Sequence, residues 1–325
     1  KEDDHGPPIA EVCNSNNLGI RDRIALFLKV CSGIQHAHQK GIIHRDIKPA
    51  NILVTTEEGQ LVPKIIDFGI AKAVDRRIIE NPALTQGVAL GTYAYMSPEQ
   101  AAGSADIDTR TDIYSLGALL YELLVGTKWL DVEAVRKGSG LEGVLRRIRE
   151  DLPARPSSRA LTLSPGPPGT VAAEPRQLSR QLRGDLDWIV MKALSKDRVD
   201  RYGAVSELVT DLTAHIHHEP LPHAGPISTR YRLKKFVAKN RASVAAAASL
   251  LLALVLGLVV VSMYSLHAVE TARREKEIAD RLQKLNSDLK VQKLAADLAK
   301  EDSENKAKEA TRLKSEAEQA AEKEK

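Results

Sequence analysis

The segment HRDIKPAN, residues 44–51, decides the fold of this 325-residue chain. Two short β-branched runs follow it, at 52–55 and 62–66, and the turn residues between them predict a β-hairpin. Asp67-Phe68-Gly69 leaves the second run, so we expect Asn51 and Asp67 at adjacent strand ends. Their side-chain oxygens are ligands that suit Mg²⁺. Asp46 stands apart from them and could accept the proton of a hydroxyl group.

The rest of the first 220 residues is mainly helical by pattern. Apolar residues recur at helical spacing over 20–39, and further helical patterns cover about 109–125, 141–150, 185–195 and 203–217. Residues 1–19 show no clear periodicity. Residues 153–184 are rich in Pro, Ser, Gly and Arg and predict a long loop inserted in the helical region. The fold class is therefore mainly α, with a short β-hairpin next to residues 44–51.

Short motifs follow HRDIKPAN in a fixed order along the chain. They are DFG at 67–69, Gly91-Thr92, Ser97-Pro98-Glu99, DIYSLG at 112–117 and Arg201 within KDRVDRY. Together they resemble the signature set of protein kinases, and the ordered set is far more specific than HRD alone. The details PANILV, DFGIAK and GTYAYMSPEQA most resemble bacterial receptor-like, eukaryotic-type serine/threonine kinases. The resemblance implies the C-terminal lobe of a protein kinase fold.

The resemblance implies a role for each polar residue of the site. Asp46 would orient the substrate hydroxyl and accept its proton, and Lys48 would neutralise the phosphate in transfer. Asn51 and Asp67 would hold the Mg²⁺ ions that bridge the ATP phosphates. A lysine two positions after Asp46 favours serine and threonine over tyrosine, and Thr92 would support the acceptor hydroxyl. ATP, Mg²⁺ and protein substrates are the expected ligands.

The same resemblance assigns structural and regulatory roles. Glu99 and Arg201 resemble the buried ion pair of the family, and Asp112 would hydrogen-bond to the backbone of the catalytic loop. Arg45 can pair with a phosphate on the activation segment and so order that segment. We expect Thr85 to carry this phosphate. An unmodified loop threonine is the alternative.

Residues 1–45 lack the nucleotide-binding motifs of a kinase N-terminal lobe. They contain no Gly-x-Gly-x-x-Gly and no Val-Ala-x-Lys, and the helix at 20–39 already belongs to the C-terminal lobe. We therefore expect a fragment of an active transmembrane kinase that has no appreciable activity by itself. The alternative is a non-catalytic membrane scaffold built on a kinase-like lobe. The intact catalytic and metal-binding set favours the fragment.

Residues 243–264 contain no charged residue, and a helix of this length spans roughly 33 Å, close to a bilayer core of about 30 Å. A buried helix of a soluble domain is the alternative. The basic residues just before this run, with no acid among them, are Arg230, Arg232, Lys234, Lys235, Lys239 and Arg241. After the run, Arg and Lys are mixed with Glu. Because basic residues stay in the cytoplasm, the pattern predicts a single-pass protein of a bacterial cell membrane with residues 1–241 inside.

The chain thus divides into four expected segments. They are a kinase lobe at 1–222, a basic juxtamembrane linker at 223–242, a transmembrane helix at 243–264 and an extracytoplasmic helical or coiled-coil segment at 265–325. In the last segment Ile278, Leu282, Leu285 and Leu289 have the 4-3-4 spacing of a heptad seam, which then shifts and fades. A long charged helix is expected, and a homodimer through it is left open.

Composition and charge exclude other classes of protein. A net charge of +4 on 325 residues gives no reason to expect nucleic-acid binding, which needs a concentrated basic face. Cys13 and Cys31 form no CxxC and indicate reduced thiols of a cytoplasmic domain. The histidines at 215, 217 and 218 lack further ligands nearby, so they indicate exposed side chains and no metal site.

Overall fold

A computed structural model describes residues 6–68, 90–166 and 174–323, and the chain divides into two compact units, 1–241 and 242–325. The second unit is formed by one helix, α11 (Arg241–Lys323), which starts at the last residue of the first. The first unit contains a hairpin of β1 (Ile52–Glu57) and β2 (Gln60–Ile65). Its helices are α1 (Ile9–Ser15), α2 (Ile20–Gln39), α3 (Pro98–Ala101), α4 (Arg110–Val125), α5 (Val132–Glu150), α6 (Pro156–Ala160), α7 (Pro175–Leu182), α8 (Asp185–Ala193), α9 (Val205–Ile216) and α10 (Thr229–Lys239).

The helix α4 is the centre of the first unit. It is buried along almost its whole length, as expected for a helix that is apolar on all sides, and it contacts α1, α2, α6 and α8. A Cβ added at Gly117 would lie 2.7 Å from the Cβ of Ala193, so this glycine allows α4 and α8 to approach closely. The helix ends at Gly126, whose φ of 81° provides a left-handed cap. The helix predicted at about 109–125 is confirmed, and its buried side chains place it in the core.

The hairpin lies at the predicted place and positions the candidate site. Its strands are antiparallel, with Ile52 opposite Ile65 and Glu57 opposite Gln60. Glu58 and Gly59 form the turn, and both have positive φ, 51° and 77°, which matches the twist of a two-residue hairpin. The open end of the hairpin carries the residues before β1 and after β2, and therefore brings the two sequence motifs together.

Two regions that the sequence predicted as irregular contain helices. In the first, Ile9, Val12 and Cys13 lie on one side of α1 and are buried against the core. In the region 153–184, α6 and α7 each start at a proline in the first turn, where a missing N–H costs nothing. Leu178 and Leu182 of α7 are buried. The prediction of one long loop is therefore wrong for 156–160 and 175–182, and 167–173 lie outside the described residues.

The predicted linker 223–242 also contains regular structure, because its basic residues form α10. The helix expected at 141–150 starts earlier, at Val132, and has a non-helical kink at Gly140. In the second unit, α11 includes both the uncharged run at 243–264 and the heptad-like residues. Within the part of the chain that the structure describes, it is the one helix long and apolar enough to cross a membrane, judged by length and composition.

Candidate active site

Asp112, near the start of α4, binds the backbone of the HRDIKPAN segment. Its carboxylate is completely buried. One oxygen accepts a hydrogen bond from the amide of His44 and the other from the amide of Arg45, each at 2.8 Å. The ring Nε2 of His38 lies 2.8 Å from the first of these oxygens. Because hydrogen bonds to a carboxylate are stronger than neutral ones, the central helix fixes the start of the segment.

Arg45 has a left-handed backbone, with a φ of 66°, which costs about 1–2 kcal/mol for a residue with a side chain. Its amide is held by Asp112, as described above. Its carbonyl accepts a hydrogen bond of 2.8 Å from Nε2 of Gln100. Gln100 is itself fixed by a capping box with Ser97 at the start of α3. Both polar backbone atoms of Arg45 are therefore held, and the surrounding structure maintains a strained turn next to Asp46.

His44 connects the HRDIKPAN segment to the DFG motif. Its Nδ1 accepts a hydrogen bond from the amide of Asp46 at 3.3 Å, and its Nε2 lies 3.1 Å from the carbonyl of Ile66. Its ring also packs against Phe68, with centroids 4.7 Å apart. Burial lowers the pKa of His44, although the carboxylates of Asp112 and Asp46 act in the opposite direction. A neutral imidazole satisfies both contacts, because it accepts at Nδ1 and donates at Nε2.

Lys48 and Asn51 both bind the carboxylate of Asp46. Nζ of Lys48 is 2.9 Å from Oδ2 of Asp46, and Nδ2 of Asn51 is 3.1 Å from the same oxygen. Asn51 also donates to the backbone carbonyl of Asp46 at 2.8 Å. The side chains of Asp46 and Lys48 are 16% and 22% exposed, so both remain accessible to a ligand. The structure therefore brings the three predicted residues into one cluster with an oriented carboxylate.

Asn51 and Asp67 lie at the open end of the hairpin, as predicted. Asn51 is buried, and its carbonyl accepts a hydrogen bond of 3.0 Å from the amide of Ile66, the residue before Asp67. Because the Asn51 amide nitrogen donates to Asp46, its side-chain oxygen stays available as a ligand. Asp67 is exposed and has a left-handed φ of 54°.

This pair fits Mg²⁺, which typically uses one or two protein ligands and completes its shell with water and phosphate oxygens. Among the described residues, no group of three or more His, Cys, Asp and Glu side chains could hold a metal ion. A site built from one amide and one carboxylate is of a different kind. The donor types at Asn51 and Asp67 therefore suit Mg²⁺.

Thr92 lines a small pocket beside the same cluster. Its neighbours in this pocket include Arg45, Asp46 and Gln100. Ser115 of α4 also lines the pocket and donates a 2.8 Å hydrogen bond to the carbonyl of Tyr95. The structure thus places Thr92 next to Asp46, although the two residues are far apart in the sequence.

Glu99 and Arg201 form a buried bidentate ion pair. Nη1 and Nη2 of Arg201 donate to the two carboxylate oxygens of Glu99 at 2.7 and 2.8 Å, and Thr111 donates to the first oxygen at 2.6 Å. The side chains of Arg201 and Glu99 are 0% and 8% exposed. Burial by itself would raise the pKa of Glu99, but the hydrogen bonds and charge of Arg201 outweigh it and hold the pKa below its usual range.

One predicted site residue has no described structure, and two residues of the site were not identified from the sequence. Thr85, the predicted phosphorylation site, lies outside the described residues. Sequence reasoning missed His38 and Gln100, which hold the HRDIKPAN segment through Asp112 and Arg45. His38 lies outside the quoted motifs, and Gln100 lies within GTYAYMSPEQA but was given no role there. Both act over 50 or more positions of sequence, so the folded structure identifies their contacts.

The fold and the site define the class of this protein. The family described as the protein kinase domain matches residues 9–210, and the chain belongs to that family. It is similar to serine/threonine-protein kinase PknB of Mycobacterium tuberculosis, with 35% identity over 207 residues that cover 63% of this chain and 28% of that protein. It is also 38% identical, over 189 residues, to a probable serine/threonine-protein kinase, CPE1738, of Clostridium perfringens, which covers 58% of this chain and 23% of that protein.

Among solved structures, the kinase domain of Mycobacterium tuberculosis PknI matches with a TM-score of 0.40 and 23% identity, over 64% of this chain and 62% of that chain. The chain spans about a quarter of the length of the curated relatives it matches. Both relatives are bacterial proteins named as serine/threonine-protein kinases, in agreement with the class that the sequence motifs resemble.

Proposed function

We propose that the chain provides the C-terminal lobe of a serine/threonine protein kinase, which transfers the γ-phosphoryl group of ATP to protein hydroxyls in membrane-linked signalling. The observation that carries the proposal is the joint binding of Lys48 and Asn51 to the carboxylate of Asp46. Residues 1–222 correspond to this lobe. The nucleotide-covering motifs that the family places before the lobe are not found in residues 1–45, so the lobe alone would lack appreciable activity.

The cluster can position a hydroxyl and take up its proton. Asp46 would orient the substrate hydroxyl and accept its proton on a carboxylate oxygen as the hydroxyl oxygen bonds to the γ-phosphorus of ATP, while the bond to the bridging β–γ oxygen breaks and ADP leaves. Lys48 would hold the transferring phosphate with its positive charge, and Thr92 would support the hydroxyl from the adjoining pocket. Asn51 and Asp67 would bind Mg²⁺, which neutralises the charge of the ATP phosphates when bound.

A kinase assay on the full-length gene product tests this role. Asp46→Asn should lower kcat about 10²–10⁴-fold, because a positioned general base contributes that much. Asp200→Asn, at an exposed aspartate of the same lobe, is the matched control and should retain activity. Phosphoamino-acid analysis of the products should show phosphoserine and phosphothreonine. The proposal would be contradicted if Asp46→Asn unfolds at the same denaturant concentration as the wild type and still turns over at a near-normal rate.

The proposal includes regulation through Arg45 and Thr85. The Arg45 backbone is fixed beside Asp46, so a phosphate bound to its guanidinium would be placed next to the catalytic cluster. Autophosphorylation at Thr85 would then order the activation segment. Phosphopeptide mapping of active protein should find Thr85 modified, and Thr85→Ala should reduce activity. An unmodified Thr85 in fully active protein would refute this mechanism.

We also propose that α11 crosses a bacterial cell membrane once, at 243–264, with the lobe in the cytoplasm. The length and composition of this run and the basic residues before it support the assignment. Residues 223–242 would be the juxtamembrane segment, and 265–325 an extracytoplasmic helix that could pair in a homodimer. The protein should resist alkaline extraction from membranes, and cysteines introduced at Lys64 and Lys308 should react with an impermeant reagent from opposite sides.

A non-catalytic membrane scaffold built on a kinase-like lobe is the second candidate. Binding of Mg-ATP by the full-length gene product distinguishes the two. A kinase should bind the nucleotide and lose metal-dependent binding in Asp67→Asn. A scaffold should bind its partners equally well with or without this substitution.

A further inference from the structure

The inner face of α10 is held on the lobe by one buried carboxylate, Asp185, at the start of α8. Oδ1 of Asp185 accepts a hydrogen bond from the hydroxyl of Tyr231 at 3.0 Å, and Oδ2 forms an ion pair with Lys235. Nδ1 of His215 lies 2.9 Å from Oδ2. Tyr231 also packs edge to face on Trp188, with ring centroids 5.4 Å apart. The side of α10 that carries Tyr231 and Lys235 therefore faces the lobe.

The outer face of α10 combines apolar and basic side chains. Successive residues of a helix are rotated by about 100°, so Leu233, Phe236 and Val237 fall opposite Tyr231 and Lys235. These three side chains are 63%, 58% and 40% exposed. Exposed basic residues flank this apolar strip on both edges: Arg230 and Lys234 on one, Arg232 and Lys239 on the other. An exposed apolar strip bordered by Arg and Lys is the pattern of helices that lie in a membrane interface.

We propose that the outer face of α10 binds the anionic headgroup surface of a bilayer, with Leu233, Phe236 and Val237 inserted at the headgroup boundary. Because Asp185 fixes the inner face, this contact would hold the whole lobe against the membrane surface. The inference rests on the proposed membrane placement of the chain, since α10 ends at Lys239 and the uncharged run starts at residue 243.

The charge of this region selects lipid over a second copy of the chain. No acidic residue occurs from 220 to 269. Two outer faces brought together would therefore oppose basic residues to basic residues, whereas anionic headgroups supply the opposite charge. Each Lys or Arg near an anionic bilayer strengthens binding about fivefold. Lys239 forms an ion pair with Glu219 at 2.7 Å, so Arg230, Arg232 and Lys234 provide the affinity, and the apolar strip provides the depth of insertion.

The depth of residue 236 in the bilayer tests the proposal on the full chain. The chain carrying Phe236→Cys is labelled with a nitroxide and reconstituted in nanodiscs of neutral lipid or of lipid with phosphatidylglycerol. Cys13 and Cys31 are completely buried, so the label reacts at the introduced cysteine. Collisions with oxygen report lipid, and collisions with a nickel complex report water. We expect residue 236 to be protected from nickel in the anionic discs, while a label at Val199→Cys, on the lobe surface, stays in water in both.

Charge variants and controls separate the outcomes. Arg232→Gln with Lys234→Gln should lower the ratio of bound to free α10 about 25-fold, at about fivefold per charge. Arg136→Gln with Lys137→Gln, which removes two exposed charges from α5, should leave it unchanged. If the chain still resists alkaline extraction, either of two results would overturn the proposal. One is access of nickel to residue 236 in anionic discs. The other is protection of residue 236 together with spin–spin coupling between two labelled copies. Release of the chain by alkali would overturn the membrane placement as well.

Discussion

Replacing Arg201 by methionine should destabilise the lobe by about 3–5 kcal/mol, because it leaves Glu99 as a buried charge without a partner. The guanidinium of Arg201 donates two hydrogen bonds to Glu99 and three to the carbonyls of Ser195, Lys196 and Arg110. Methionine keeps most of the apolar stem and removes all of these donors. Thr111 would remain the main donor to Glu99, and one hydroxyl cannot replace a bidentate cation.

The stability lost in Arg201→Met should be larger at neutral pH than at acidic pH. In the wild type the pKa of Glu99 is below its usual value, so its ionised form stabilises the fold at neutral pH, and this contribution is lost as the pH falls through the folded pKa. In Arg201→Met, burial without the compensating charge should raise the pKa of Glu99 above the unfolded value of about 4.3. The ionised group then opposes folding at neutral pH, and protonation relieves this cost. The stability difference between the two proteins should therefore be larger at pH 7 than near pH 4.5.

Urea unfolding followed by tryptophan fluorescence measures this difference. Both tryptophans, Trp129 and Trp188, lie in the first unit, so the signal reports the lobe even when the full chain is held in detergent. Arg147→Met is the matched control, because Arg147 pairs with Asp151 at 3.6 Å and both side chains are about half exposed. It should cost at most about 1 kcal/mol. The reasoning fails if Arg201→Met costs no more than this control, or if its cost does not change with pH.

Three further substitutions test other buried groups. Asp112→Asn should lower the free energy of unfolding by about 1–3 kcal/mol and also lower kinase activity, because the new amide nitrogen would face a backbone N–H of the HRDIKPAN segment. Urea unfolding measures the first effect and a kinase assay the second. Burial lowers the pKa of Lys196 to about 8. Between about pH 8 and 10.4 the unfolded chain therefore binds more protons than the folded chain, so the stability of the wild type relative to Lys196→Met should rise with pH. Urea titrations at several pH values measure this difference. Ser157→Ala removes a 2.6 Å hydrogen bond to buried Asp187 and should lower the free energy of unfolding by about 1–3 kcal/mol, measured as a lower urea midpoint with an unchanged slope.

The sequence predicted the parts of the fold whose signals are local. The hairpin was readable because two β-branched runs flank turn residues, and α4 was readable because its apolar residues recur over four turns. The helices α1, α6 and α7 have between five and eight residues, too few to show a period. Their stability comes from burial against residues that are distant in the sequence. A proline-rich composition then indicated a loop, although the prolines occupy first turns of helices.

The candidate site shows the same division. Asp46, Lys48, Asn51 and Asp67 could be placed near one another from the sequence because they flank the two strands of one hairpin. The packing of α10 on the lobe could not be predicted from the sequence, because nothing in a run of basic residues distinguishes Lys235 from its neighbours. Asp185, which is 50 positions away from Lys235, makes that distinction in the folded chain.

Buried carboxylates connect irregular segments and peripheral helices of this lobe to its core helices. Asp112 holds the HRDIKPAN segment, Glu99 holds the loop that contains Arg201, and Asp185 holds α10. Asp187 binds the start of α6, and Asp211 accepts hydrogen bonds from the amides of two residues beyond α9. Segments without regular structure have few apolar side chains to bury, so apolar packing alone cannot fix their position. A carboxylate on a core helix can, because it accepts several directed hydrogen bonds and is too costly to leave buried without them. The geometry at Asp46 therefore depends on α4 and α3 as much as on the motif itself, which explains how a strained backbone at Arg45 persists beside it.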